Sequence, residues 1–283
     1  MTNAPPNGKP VSGFFSARDG QQLYQEVWPA AGEAHATVLM VHGYGEHCGR
    51  YQNPVEALRP RGFELFGFDY RGHGQAGGRR GHVDHFAEYL DDLDRALELA
   101  RARGMRPVFL LGHSLGGLIS ARYVIERGKD LAGLVLSSPF LGLKAKLPAI
   151  KLAVGRKASK WMPRLTLKND LDASALSRDP AVGEAYARDR FVHHVATARW
   201  FTETTAAQER CLHEAAAITL PVLVYAGDAD AIADTAATRA VFDRIASKDK
   251  TLKVYPGGYH ELMNDTCKGE VLQALGEWLE AHC

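Results

Sequence analysis

The chain has 283 residues, 34 Lys and Arg against 33 Asp and Glu, a formal net charge of +1 and 46% hydrophobic residues. That length suits one large domain, and the near-zero charge gives no electrostatic reason to expect a nucleic acid partner. No run approaches the roughly 18 apolar residues of a membrane span, residues 1–20 lack a secretory apolar core, and Cys48, Cys211, Cys267 and Cys283 are scattered, a pattern of reduced thiols in a cytoplasmic protein.

In chain order, the first ten residues are rich in Pro and Asn and read as a frayed end. VSGFFSARDGQQLYQEVW (11–28) reads as two strands about an Arg-Asp-Gly turn, an antiparallel edge hairpin. ATVLMVHG (36–43) and FELFGFDY (63–70) are short apolar runs expected as buried strands, with a short helix over 53–59 between them. FAEYLDDLDRALELARARG carries Phe86, Leu90, Leu93, Leu97 and Ala100 at helical spacing and stops at Gly104. RPVFLLG (106–112) is the next strand, and SLGGLISARYVIERG continues as a helix. LAGLVLSS (131–138), LPVLVYAG (220–227) and KTLKVYPG (250–257) are further strands, and TAATRAVFDRIAS and KGEVLQALGEWLEAHC are helices either side of the last.

This alternation predicts an α/β fold, a mostly parallel sheet of about eight strands with helices on both faces. Between 141 and 205 no strand is predicted, only helix-like and polar segments. The core therefore comprises 1–140 and 206–283, and 141–205 is an inserted helical cap over the C-terminal edge of the sheet.

FLLGHSLGGL (109–118) sets Ser114 between Gly112 and Gly116, directly after a strand and directly before a helix. A serine held in a strained strand-to-helix turn lifts its hydroxyl above the sheet, and only small neighbours permit that turn. The helix aims its positive end at the same point, and the Leu115 N–H is its natural oxyanion donor. A serine nucleophile needs a base and a group to orient it, placed in loops after later strands in the order Ser, acid, His. YAGDADAIAD offers Asp228, Asp230 and Asp234. Asp230 is the preferred acid, with Asp228 expected to turn the loop as an Asx residue and Asp234 to cap the following helix. His260 is the only histidine between the last strand and the closing helix. His42-Gly43 can bend the chain so that the Tyr44 N–H faces Ser114 as the second donor. His113 is read as packing. His82 and His85, and the pair His193-His194, lack the companions of a metal site, so no metal is expected.

With these residues placed, the sequence resembles the α/β-hydrolase fold, and within it the monoacylglycerol lipase and lysophospholipase group. HGYGEHCGRY, FDYRGHGQAGGRRGHVDHF, GHSLGG, SSPFL, GDADAIAD and DKTLKVYPGGYHEL carry the resemblance, which runs from about residue 11 to the C-terminus. It implies Ser114 as nucleophile, Asp230 as acid, His260 as base and Tyr44 and Leu115 as backbone donors. It also implies a lipid-like acyl ester of glycerol as substrate and no cofactor. Arg71-Gly72-His73-Gly74 matches a segment that organises the loop near the site. Cys48 stands where many relatives carry serine, which places a thiol near the oxyanion loop and implies sensitivity to thiol reagents.

Lysophospholipase, carboxylesterase and thioesterase activities share this machinery, and a ligand-binding receptor on the same fold is the non-enzyme alternative. An aminopeptidase would need an acid to hold the substrate amine, and Glu46, Asp170 and Asp172 have no spacing that supports it. The cap segment LGLKAKLPAIKLAVGRKASKWMPRL has seven Lys or Arg and no acid. Ile150, Val154, Trp161 and Leu165 recur at helical spacing beside Lys151, Lys157, Lys160 and Arg164. Two readings follow: a peripheral contact with an anionic membrane surface, or a cap helix packed on its own core with a solvated basic face.

Overall fold

The computed structural model describes residues 10–104, 106–128, 130–144, 149–169 and 171–283, with backbone only over 149–152. The expected frayed end lies almost wholly outside them. The edge hairpin is β1 (Val11–Ser16) and β2 (Gln22–Trp28), antiparallel with Phe14 opposite Tyr24. β3 (Ala36–Val41), α1 (Gln52–Leu58), β4 (Phe63–Asp69), α2 (Ala87–Ala102), β5 (Val108–His113), α3 (Leu115–Arg127) and β6 (Gly133–Ser137) follow in strand–helix rhythm. The rhythm breaks at α4 (Ala149–Trp161), β7 (Thr166–Lys168), α5 (Pro180–Arg188), β8 (Val195–Thr197) and α6 (Ala198–Glu214). It resumes with β9 (Val222–Gly227), α7 (Thr235–Arg244), β10 (Lys250–Tyr255) and α8 (Lys268–Glu280).

Eight strands form one sheet in the order β1-β2-β4-β3-β5-β6-β9-β10, antiparallel through β2 and parallel from β4 onward. Successive side chains of a strand point to opposite faces, so each central strand feeds two cores. Leu39 and Val41 join the cluster that holds Leu93 of α2, Leu118 of α3, Ala207 of α6 and Val241 of α7. Val38 and Met40 join the one that holds Val55 and Leu58 of α1 and Val271 and Leu275 of α8. The helical stripe expected on α2 is buried as read, Leu90, Leu93, Leu97 and Ala100 all lying in the first cluster.

The inserted region differs from expectation in two respects. β7 and β8 pair as an antiparallel ribbon, Leu167 opposite Ala196. Each has three residues, too few for a period of two to register in the sequence. The helix α6 also runs through position 205, so the expected end of the insertion falls inside a helix.

The Arg71 segment is fastened from below. Asp92 of α2 is fully buried and accepts from Arg71 Nε at 2.8 Å, Nη2 at 2.6 Å and the Arg71 backbone N–H at 3.0 Å. Arg71 Nη1 also donates to Asp19 at 2.9 Å and Glu88 at 3.1 Å, so Asp92→Ala leaves the guanidinium partly paired and should lower unfolding free energy by about 1–3 kcal/mol. The shift of the urea midpoint measures it.

Candidate active site

Ser114 follows β5 and precedes α3 with φ 51° and ψ −119°, a left-handed conformation for a residue with a side chain. Such backbone costs on the order of 1–3 kcal/mol and persists only where the surroundings enforce it. Here they do: Ser114 N–H donates to Ser137 O at 3.1 Å, and its carbonyl accepts from Leu118 and Phe140 at 3.2 and 2.9 Å. A Cβ at Gly116 would overlap the carbonyl oxygens of Val41 and His42, and one at Gly112 would overlap Gly116 O and Ser120 Oγ. Leu115 is the first residue of α3, where a helix has no internal acceptor for its N–H.

Asp230 and His260 arrive from the loops after β9 and β10. His260 Nδ1 lies 2.8 Å from Asp230 Oδ2, both side chains almost fully buried. The other carboxylate oxygen, Asp230 Oδ1, accepts from Ile232 N–H at 2.8 Å and Ala233 N–H at 3.0 Å. Burial opposes charge on Asp230, but His260 and these two donors outweigh it and hold the carboxyl below its ordinary range. Burial likewise opposes charge on His260, and Asp230 outweighs it, raising the imidazole above its ordinary value. Asp234 caps α7, accepting from Ala236 N–H at 3.0 Å. Asp228 is not an Asx residue of its own loop; it takes Gly257 N–H at 2.6 Å and ties the loops after β9 and β10 together.

The loop after β3 faces Ser114. A Cβ on Gly43 would stand 3.2 Å from Ser114 Cβ and 2.8 Å from Glu46 Oε1, so only glycine fits this approach. The Gly43 N–H is spent on Glu46 Oε1 at 2.6 Å, which leaves Tyr44 as the next amide along the loop. Arg50 donates to Glu46 and, through both Nη atoms at 2.8 and 2.9 Å, to Glu261. Sequence reading weighed Glu46 only as an amine holder and missed Glu261; the one signal was a Glu and an Arg four apart in an otherwise buried loop. Asp172, the other described acid weighed for that role, binds Ser174 N–H at 2.9 Å, and Asp170 lies outside the described residues.

Several of the remaining singled-out residues have structural partners. His113 Nδ1 lies 3.0 Å from Ser137 O, its ring 4.9 Å from that of His260. His82 meets Thr197 Oγ1 at 2.9 Å and Asp84 at 3.2 Å. His73 packs edge-on against the Tyr44 ring at 5.3 Å and tilted against Tyr70 at 4.5 Å, so the Arg71–Gly74 segment packs against the loop after β3. Cys48 corrects an expectation: it is buried, and burial together with the nearby Asp69 carboxylate pushes its thiol well up, which disfavours the reactive thiolate.

Ser114 and His260 line one cavity of about 1150 Å³ together with Glu46, Arg50 and Glu261. Its far walls are apolar and come largely from the cap, among them Val154, Leu165, Leu167 and Phe201. That exceeds the ordinary span of small-molecule pockets, roughly 300–1,000 Å³. The second half of the cap is bonded to both loops of the site. His193 N–H donates to Gly45 O at 2.9 Å and Tyr44 Oη to Val195 O, while Glu261 N–H donates to Leu176 O at 2.7 Å. On α4 and the segment after it, Val154 and Trp161 are 61% and 77% exposed beside exposed Lys157, Lys160 and Arg164. The side chains of Ile150 and Lys151 lie outside the described residues.

A parallel sheet with a strained serine after its central strand, and an Asp–His pair in later loops, defines an enzyme of the α/β-hydrolase fold. Residues 32–267 match the family described as Hydrolase_4, serine aminopeptidase, S33, and the chain belongs to that family. The monoacylglycerol lipase of Mycolicibacterium smegmatis is 33% identical over 95% of this chain and 96% of its own. The monoglyceride lipase of Rattus norvegicus is 32% identical over 92% of this chain and 88% of its own. Among solved structures, Paleococcus ferrophilus monoacylglycerol lipase matches with a TM-score of 0.85 at 35% identity, over 92% of this chain and 99% of that one.

Cys48 should resist iodoacetamide in the folded protein at neutral pH while Cys283, exposed at the end of the chain, is modified. Peptide mass mapping before and after addition of urea checks this; labelling of Cys48 in the native state would restore the expectation of thiol sensitivity.

Proposed function

We propose that the protein is a cofactor-independent serine hydrolase that cleaves the acyl ester of monoacylglycerols. His260 takes the proton of Ser114 as the hydroxyl attacks the acyl carbonyl, and the Tyr44 and Leu115 amides hold the resulting oxyanion. Asp230 keeps the His260 tautomer and stabilises the imidazolium; His260 then protonates the departing glycerol and activates water to release the fatty acid. The observation that carries this reading is that a backbone-strained serine and an Asp-bound histidine open onto one large, cap-lined apolar cavity. Its polar side sets Glu46 and Glu261 against Arg50, two carboxylates to one guanidinium. That balance favours a neutral glycerol over the phosphate of a lysophospholipid. The same carboxylates are engaged by Arg50 rather than free for a substrate amine, which weighs toward esters over peptides.

The outer face of the cap is the second part of the proposal: Trp161 enters the headgroup region of an anionic membrane, and Lys157, Lys160 and Arg164 meet its phosphates. Their exposure supports this over the alternative of a helix packed on its own core.

Ser114→Ala should abolish turnover of monoacylglycerol, and Asp230→Asn should cost on the order of 10⁴-fold in kcat, far more than Asp228→Asn. Only neutral His260 accepts a proton, so its raised pKa places the acid limb of kcat/KM above the ordinary imidazole value of 6.5, and Asp230→Asn moves that limb down. Stopped initial rates across pH 5–9 check the sign. In a panel of monoacylglycerols, lysophospholipids and short esters, monoacylglycerols should give the highest kcat/KM; preference for lysophospholipids would reassign the head group. Neutralising Lys157, Lys160 and Arg164 should weaken sedimentation with phosphatidylserine vesicles and leave hydrolysis of a water-soluble ester unchanged. Unaltered sedimentation would return the cap to the packed-helix reading.

A further inference from the structure

We infer that Glu261 is a positioning residue for the oxyanion loop, acting through Arg50 and Glu46 on the backbone of Gly43. Glu261 directly follows His260, and its buried carboxylate receives both Nη atoms of Arg50 at 2.8 and 2.9 Å. Arg50 Nη1 also donates to Glu46 Oε2, and Glu46 Oε1 accepts the Gly43 N–H at 2.6 Å and the Tyr51 hydroxyl at 2.9 Å. The side chains of Glu261, Arg50 and Glu46 therefore join the residue after the base to the amide of Gly43, the residue before Tyr44.

The physical need for this link lies in Gly43. A Cβ there would stand 2.8 Å from Glu46 Oε1 and 3.2 Å from Ser114 Cβ, and a glycine holds its own φ and ψ weakly. The direction of the next amide is then set from outside on both sides of Gly43. Its N–H donates to Glu46, and its carbonyl, in the same peptide as the Tyr44 N–H, accepts from Tyr70 Oη at 2.8 Å and lies 2.8 Å from His42 Nδ1. Arg50 holds Glu46 Oε2 and the Tyr51 hydroxyl holds Oε1, and together they aim Oε1 at Gly43. A guanidinium held by one carboxylate can swivel, whereas a second one gripping both Nη atoms fixes its plane. Glu261 is itself fixed on two further sides. Asn264 Nδ2 donates to its Oε2 at 2.8 Å, and its own N–H donates to Leu176 O in the cap at 2.7 Å. The chain of bonds thus sets the distance between base and oxyanion donors, two parts carried by loops more than two hundred residues apart in sequence.

This inference rests on the reading of Ser114, Tyr44 and His260 given above. The rival is direct contact with the leaving alcohol, since Glu46, Arg50 and Glu261 also line the cavity. Two esters separate them: a monoacylglycerol, and p-nitrophenyl acetate, which has no glycerol. Glu261→Gln and Arg50→Lys in the full chain should each lower kcat by about 10–100-fold on both esters alike, the scale of a 1 Å misplacement, with KM changed less than about threefold. The inhibition constant of a trifluoromethyl ketone, which forms the tetrahedral oxyanion, should rise by the same factor. Rates are taken per active site from the p-nitrophenol burst, so that misfolded enzyme does not count. Unchanged kcat per site in both variants, or a loss confined to the glycerol ester with a raised KM, would overturn the inference. Full turnover by Ser114→Ala would instead remove the site reading on which it stands.

Discussion

The missing side chains at Gly112 and Gly116 are the constraint on which the rest of the molecule turns. Without them α3 can start hard against the ends of β3 and β5, close enough that any Cβ would overlap a carbonyl oxygen. That approach forces Ser114 into its left-handed backbone and lifts it out of the sheet. It also decides where chemistry can be assembled, because the ends of β3, β9 and β10 lie to either side of β5 at the same edge. The loops that carry Gly43, Asp230 and His260 need only short excursions to meet there.

Around that edge the protein buries charge it could have left in water. Asp230 with His260, Glu46 and Glu261 with Arg50, and Asp92 with Arg71 are all paired, with further backbone donors on most of the carboxylates. Pairs of this kind seldom add net stability over apolar side chains of similar size. What they supply is direction: each carboxylate has two oxygens in fixed places, and in Asp230 and Glu46 the two hold different parts of the loop framework. Asp69 shows the pattern in small, one oxygen taking Cys48 N–H and the other Gln75 N–H, both at 2.8 Å.

Features that repeat along the chain were legible from the sequence, and features made by distant contact were not. The strands announced themselves by apolar runs ending at Gly43, Gly112, Gly227 and Gly257, and α2 by its stripe from Phe86 to Ala100. Asp230 and His260 were legible because the order of strands dictates which loops reach the serine. The ribbon of β7 and β8 was not, at three residues a side. Nor was the Glu46–Arg50–Glu261 cluster, since nothing near residue 46 signals what stands at 261. Asp228 was misread for the same reason: an aspartate in a turn looks local, while its partner is on another loop. Cys48 was judged by its neighbours in sequence, and its chemistry is decided by burial that only the fold reveals.

The attachment of the cap decides how the molecule could be re-engineered. Its second half shares hydrogen bonds with Gly45 and Glu261, and α6 carries the chain from above the cavity down into the core without a break. Such an insertion is not a detachable module. Among the described residues, few bonds from the stretch around α4 reach the loops after β3 and β10. The part from Leu176 to Trp200 holds both loops, so its replacement would carry them with it. A graft meant to change what the cavity admits belongs in the outer rim, where it leaves the mooring of the site intact.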